Sequence, residues 1–103
     1  MMIVRRQYLK SRLVCKVTFK LSAEIGNSAH QASLVGEFND WDAGTNRMKK
    51  LKDDSFTITV DLEQGKEYQF RYLLDSIYWE NASNADRYAL TPFGDSENSV
   101  III

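Results

Sequence analysis

A chain of 103 residues has room for one domain, and 44% hydrophobic with 26% charged residues is an ordinary globular composition with enough apolar mass for one core. Thirteen basic against fourteen acidic residues leave a net charge of −1, which excludes the basic excess a nucleic-acid binder needs. The lone cysteine, Cys15, excludes an intramolecular disulfide and a cysteine-rich metal site.

The opening MMIVRRQYLK has early basic residues but no apolar stretch of signal-peptide length, and no run in the chain is long enough to span a bilayer. The expectation is a soluble, cytoplasmic protein, with residues 1–11 an N-terminal extension and residues 12–103 a single domain. Leu13, Cys15, Val17, Phe19 and Leu21 alternate with Val14, Lys16, Thr18 and Lys20, the mark of a strand with one wet face. Cys15 sits in the inward row and reads as a small core hydrophobe, not a reactive thiol. EIGNSAHQ reads as a turn that leaves His30 on the surface, and ASLVGEF as the next strand.

Beyond the phrase FNDWD, RMKKL predicts a short strand and DDS a turn. Phe56, Ile58, Val60 and Leu62 then alternate with polar residues, EQGKE reverses the chain, and Tyr68, Phe70, Tyr72 and Leu74 alternate again. That pattern predicts a hairpin with one shared buried face. A brief strand follows at Ile77 to Glu80, NASNADRYALTPFGDSENS reads as a long irregular stretch, and VIII closes the chain as a strand. No segment carries a helical period. Strands separated by turn signals predict an all-β fold, an antiparallel β-sandwich of the immunoglobulin-like kind. The missing cysteine pair separates it from antibody domains.

One phrase resists this reading. VGEFNDWD places Trp41 between two aspartates, although turn residues belong on the surface and tryptophan mostly inside. Trp41 is either folded under its own turn or displayed for a ligand.

LVGEFNDWD, DLEQGKEYQFRYLLD, YWENASNADRY and PFGDSENSVIII occur in one order and spacing over roughly Leu13 to Ile103. Together they resemble the early-set domains of carbohydrate-binding module family 48. That family includes the N-terminal domains of isoamylases and branching enzymes, and the glycogen-binding domain of the AMP-activated kinase β subunit. The resemblance implies an early-set sandwich that binds α-glucan without hydrolysing it, in association with glycoside hydrolases and their relatives. It implies stacking roles for Trp41, in the F-N-x-W phrase, and for Trp79, although DSIYW is longer by one residue than the usual turn and has Ser76 where glycine is usual. It also implies that Arg71 bonds sugar hydroxyls, that Phe93 pushes into the bound glucan, and that Asn98 contacts the sugar.

The same residues make physical sense as a sugar site. A glucose ring has an apolar face of axial hydrogens and a polar rim, so it suits an exposed aromatic with polar neighbours. Period two puts Arg71 on the face away from Phe70 and Tyr72, and its fork of donors suits paired hydroxyls. An ordinary solvated arginine reads the same way. For Trp79, the neighbouring Tyr78 could take the outward place instead. Phe93, between Pro92 and Gly94, could simply plug the end of the sandwich.

Enzyme readings fare poorly. A glycosidase needs two carboxylates across a cleft, whereas Asp40, Asp42, Asp75, Glu80, Asp86 and Asp95 each fall in a turn or loop. No phosphate loop, metal cluster or nucleophile elbow is present in the sequence, and no cofactor is expected. The sequence therefore predicts a non-catalytic module for α-1,4-glucan such as glycogen or maltodextrin. The rival is a protein–protein module on the same scaffold, partnering an enzyme of glycogen metabolism. A piece of a glycoside hydrolase is a third reading.

Overall fold

The computed structural model describes residues 2–8, 13–26, 29–83, 85–91 and 96–103. It is built from antiparallel strands: β1 (Met2–Tyr8), β2 (Val14–Leu21), β3 (Ala32–Gly36), β4 (Lys49–Lys50), β5 (Phe56–Glu63), β6 (Glu67–Leu74), β7 (Tyr78–Glu80), β8 (Arg87–Leu90) and β9 (Glu97–Ile102). One sheet runs in the order β1-β2-β5-β4, the other β3-β6-β9-β8, with β7 also paired to β6. No helix among the described residues is long and apolar enough to cross a membrane.

The alternation read from the sequence sets the inner faces. Cys15, Val17, Phe19 and Leu21 of β2 stand opposite Leu62, Val60, Ile58 and Phe56 of β5. Leu34 and Ala32 of β3 stand opposite Tyr72 and Leu74 of β6. The two faces meet in one core, where the Phe19 and Phe70 rings lie edge to face with centroids 5.1 Å apart. Leu13, at the head of the expected inward row, precedes β2 and is exposed. Its carbonyl instead accepts a hydrogen bond from Gln64 N at 3.0 Å.

The expected hairpin over residues 56–74 is not one. β5 and β6 belong to different sheets, and residues 64–66 carry the chain across the sandwich. Each inner row is apolar at period two whether its strand lies beside the next or faces it, so alternation cannot separate a hairpin from this arch. The arch is held from both sheets. Gln64 N reaches back to Leu13, while Gly65 N donates to Ile103 O at 3.3 Å and Ile103 N donates to Lys66 O at 2.9 Å. Gly65 takes a φ of 80°, where only glycine is free of strain.

Three further expectations shift. ASLVGEF is strand only to Gly36, and Glu37–Asn39 is a 3₁₀ turn. EIGNSAHQ begins inside a single helical turn, Ala23–Gly26. The stretch read as irregular contains β8, and β9 begins at Glu97, earlier than VIII. RYAL lacks an apolar alternation because it is an edge strand, and ENS lacks one because its polar groups are satisfied locally. Ser99 Oγ donates to Asn81 Oδ1 at 2.8 Å and accepts from Ala82 N at 2.8 Å. β1, within the stretch set apart as an extension, pairs with β2 along its whole length. Arg6 of β1 joins Asp86, just before β8, at 2.6 Å, and the same Asp86 oxygen accepts from Ile102 N at 2.7 Å.

Tyr72 lies fully buried, and its hydroxyl has no partner among the described residues. Burial pushes the phenol well above its ordinary range. An unsatisfied buried hydroxyl costs about 1–3 kcal/mol, and deleting it leaves the ring packing in place. Tyr72→Phe is therefore expected to raise stability by about 1 kcal/mol, read as a higher urea midpoint at unchanged slope. A lower midpoint would show that the hydroxyl has a partner.

Candidate functional site

The phrase VGEFNDW builds one rim of a concavity on the outer face of the second sheet. At Gly36 the backbone runs hard against β6. A Cβ there would stand 2.5 Å from the Gln69 carbonyl oxygen and 2.8 Å from Phe70 Cβ, so no larger residue fits. The 3₁₀ turn then sends Phe38 inward, with its ring centroid 6.2 Å from that of Phe19 and 6.0 Å from that of Tyr68. Asn39 clamps the turn. Its Oδ1 accepts from Gly36 N at 3.0 Å, and its Nδ2 donates to Leu34 O at 2.9 Å and Asn46 Oδ1 at 2.8 Å.

Asp40 and Trp41 follow at φ 55° and 59°, a conformation that Asp tolerates and Trp seldom adopts. Trp41 N donates back to Gly36 O at 2.9 Å, so the backbone closes on itself and leaves the indole outside, 40% exposed. The aspartates around Trp41 thus serve the turn, and Phe38, half-buried against the core, takes the inward place that Trp41 does not.

The other rim comes from β7. Asp75 and Ser76, at φ 51° and 60°, make the tight turn out of β6, and Ile77 N donates to Leu74 O at 3.0 Å. The Asp75 carboxylate accepts from His30 N at 2.8 Å and Gln31 N at 3.0 Å. Those Gln31 and His30 N–H groups hold its carboxyl below the usual carboxylate range. The register then decides between the two neighbouring aromatics. Trp79 stands opposite Leu73 and Tyr78 opposite Leu74. Leu73 shares its face with Arg71, so Trp79 joins Arg71 on the outer face, 49% exposed.

β3 and β7 both pair with residues Tyr72 to Leu74 of β6, hence along its two opposite edges. The two indoles therefore flank β6, and Arg71 of β6 lies between them. Arg71 Nη2 donates to Ser96 Oγ at 2.9 Å, while its buried Nε has no partner among the described residues. Asn98 lies within β9, not before it, and is only 6% exposed. Its Nδ2 donates to Gln69 Oε1 at 2.9 Å, and Gln69 N donates in turn to Glu37 Oε1 at 2.6 Å.

The concavity has a volume of about 540 Å³ and is lined by Glu37, Trp41, Gln69, Arg71, Trp79, Leu90, Thr91, Ser96 and Asn98. Trp41, Arg71, Trp79 and Asn98 are thus brought together, whereas Phe93 lies outside the described residues. Leu90 and Thr91 are invisible to a reading of the sequence because β8 is, and Glu37, Gln69 and Ser96 carry no motif of their own. The signal that exists for Gln69 is its parity with Arg71 on β6. Among the described residues no group of three His, Cys, Asp or Glu side chains is placed to hold a metal ion.

The family model described as carbohydrate-binding module 48 (isoamylase N-terminal domain) matches residues 14–94. The chain belongs to that family. No curated protein matches it. As a carbohydrate-binding module of family 48, the protein falls in a family of binding modules that do not themselves catalyse. The match begins at the first residue of β2 and takes in Trp41, Arg71 and Trp79; β1 and Asn98 lie outside it.

Proposed function

We propose that this module binds α-1,4-linked glucan, glycogen or maltodextrin, in the cytoplasm and without hydrolysing it. The observation that carries the reading is the pair of exposed indoles on opposite edges of β6, with the donor-rich Arg71 between them. Stacked on apolar sugar faces, Trp41 and Trp79 would hold rings at two points of one chain. The Arg71 guanidinium and the Asn98 amide, both lining the concavity, would satisfy hydroxyls at the rim. Leu90, 68% exposed at the same concavity, adds an apolar contact.

Co-sedimentation with glycogen tests the reading. The protein is expected to pellet with the polymer and to be released by free maltoheptaose. Incubation with glycogen, maltodextrin or pullulan is expected to release no reducing ends, since among the described residues no carboxylate pair faces the concavity across a cleft. Turnover that follows the protein through purification, and is lost on substitution of an Asp or Glu, would contradict the non-catalytic reading.

A second reading draws on the same exposed Trp41, Trp79 and Leu90. Clustered aromatics also make protein hot spots, and an enzyme of glycogen metabolism would be the partner. Failure to pellet with glycogen, together with failure to bind maltoheptaose, would move the assignment there.

A further inference from the structure

A glucose hydroxyl is both donor and acceptor, so a floor that recognises one needs both kinds of group. Arg71, which lines the concavity, supplies only donors, because a guanidinium has no acceptor. The acceptor has to come from elsewhere on the floor. Asn98 carries one at Oδ1, but an asparagine amide can lie either way round, presenting NH₂ as readily as the oxygen. Something must choose.

In the structure the oxygen of Gln69 faces the NH₂ end of Asn98. Gln69 Oε1 accepts from Asn98 Nδ2 at 2.9 Å, while Asn98 Oδ1 receives no hydrogen bond from the described residues. The Gln69 backbone is held as well. Its N–H donates to Glu37 Oε1 at 2.6 Å, just past Gly36, where the β3 ladder along β6 has ended. Both Gln69 and Asn98 line the concavity. We infer that Gln69 is a positioning residue: by taking the Asn98 NH₂ group it turns Oδ1 outward as the acceptor that complements Arg71. The inference rests on the glucan reading for the identity of the ligand, but the orientation it claims exists without ligand.

The test uses Gln69→Met, which keeps the shape of the side chain but loses the acceptor, and Gln69→Glu, which keeps an acceptor and has no donor. In the ligand-free protein, the Asn98 side-chain NH₂ signals in nitrogen-edited spectra are expected to shift in Q69M toward those of an unbonded amide, and to stay bonded in Q69E. In calorimetry with maltoheptaose, Q69M is expected to weaken binding roughly five- to tenfold, as for one lost hydrogen bond, and Q69E to stay within about twofold of the parent. The double variant Q69M/N98A is expected to bind no more weakly than N98A alone.

Unchanged Asn98 signals in Q69M would overturn the inference, as would a loss in Q69E equal to that in Q69M. So would losses in Q69M and N98A that multiply, since Gln69 would then act by its own contact. A parent protein that binds no maltoheptaose would remove the glucan reading, and the Asn98 signals would still decide the orientation claim.

Discussion

Trp41→Ala and Trp79→Ala are each expected to weaken maltoheptaose binding roughly 30-fold, with little change in fold stability. The magnitude is that of a hot-spot aromatic, about 2 kcal/mol on truncation. Each indole is 40–49% exposed, so removing it uncovers no closed cavity. The stability cost should be about 1 kcal/mol or less, against roughly 3–5 kcal/mol for a fully buried tryptophan. Urea midpoints and calorimetry on the same two variants separate the effects. A core-sized loss of stability at either position would show that ring to be structural, and its stacking role would have to be abandoned.

Gly36→Ala is expected to be the most damaging small change near the site, at about 3 kcal/mol. The position is extended, not left-handed, so the difficulty is space and not φ. The new methyl would stand 2.5 Å from the Gln69 carbonyl oxygen and 2.8 Å from Phe70 Cβ. Those atoms belong to the backbone and Cβ of β6 and cannot swing aside as the tip of a side chain can. β3 would have to pull away from β6, and the consequences reach the rim, because Gly36 O accepts from Trp41 N and Gly36 N is held by Asn39. The variant is therefore expected to lose glucan affinity along with stability. A urea midpoint matching that of the parent would show that β3 shifts freely, and that the FNDW turn does not depend on this close approach.

Parity along single strands is legible in the sequence, and pairing between strands is not. The inward rows of β2, β5 and β6 can be read residue by residue, and the same parity puts Arg71 on the outer face. Which strands lie side by side is a long-range choice that leaves no trace in alternation, so the β5–β6 arch reads as a hairpin. β8 escapes notice because an exposed edge strand needs no apolar row. The family resemblance supplies Trp41, Trp79 and Asn98, which parity cannot. What neither supplies is why Trp41 is outside. Asn39 looks like a generic turn residue, yet it clamps Gly36, Leu34 and Asn46 at once and so steers Phe38 in and the indole out. Such a clamp depends on Asn46, seven residues on, meeting Asn39 in space. Gln69 is inconspicuous for a similar reason: its partner Asn98 comes from another strand.

Curvature is the property that would set α-1,4-glucan apart at this face. A β-1,4 chain is nearly flat, whereas an α-1,4 chain coils, and both offer hydroxyls that Arg71 and Asn98 could meet. A concave face with an indole on each side of β6 should keep both stacking contacts only with a coiled chain, and a ligand already held in that shape loses less freedom on binding. The decisive measurement is calorimetry at one temperature with β-cyclodextrin, maltoheptaose and cellohexaose. β-Cyclodextrin is expected to bind at least as tightly as maltoheptaose, with no measurable binding of cellohexaose; cellohexaose binding as well as the other two, or no binding by any of the three, would contradict an α-glucan site between Trp41 and Trp79.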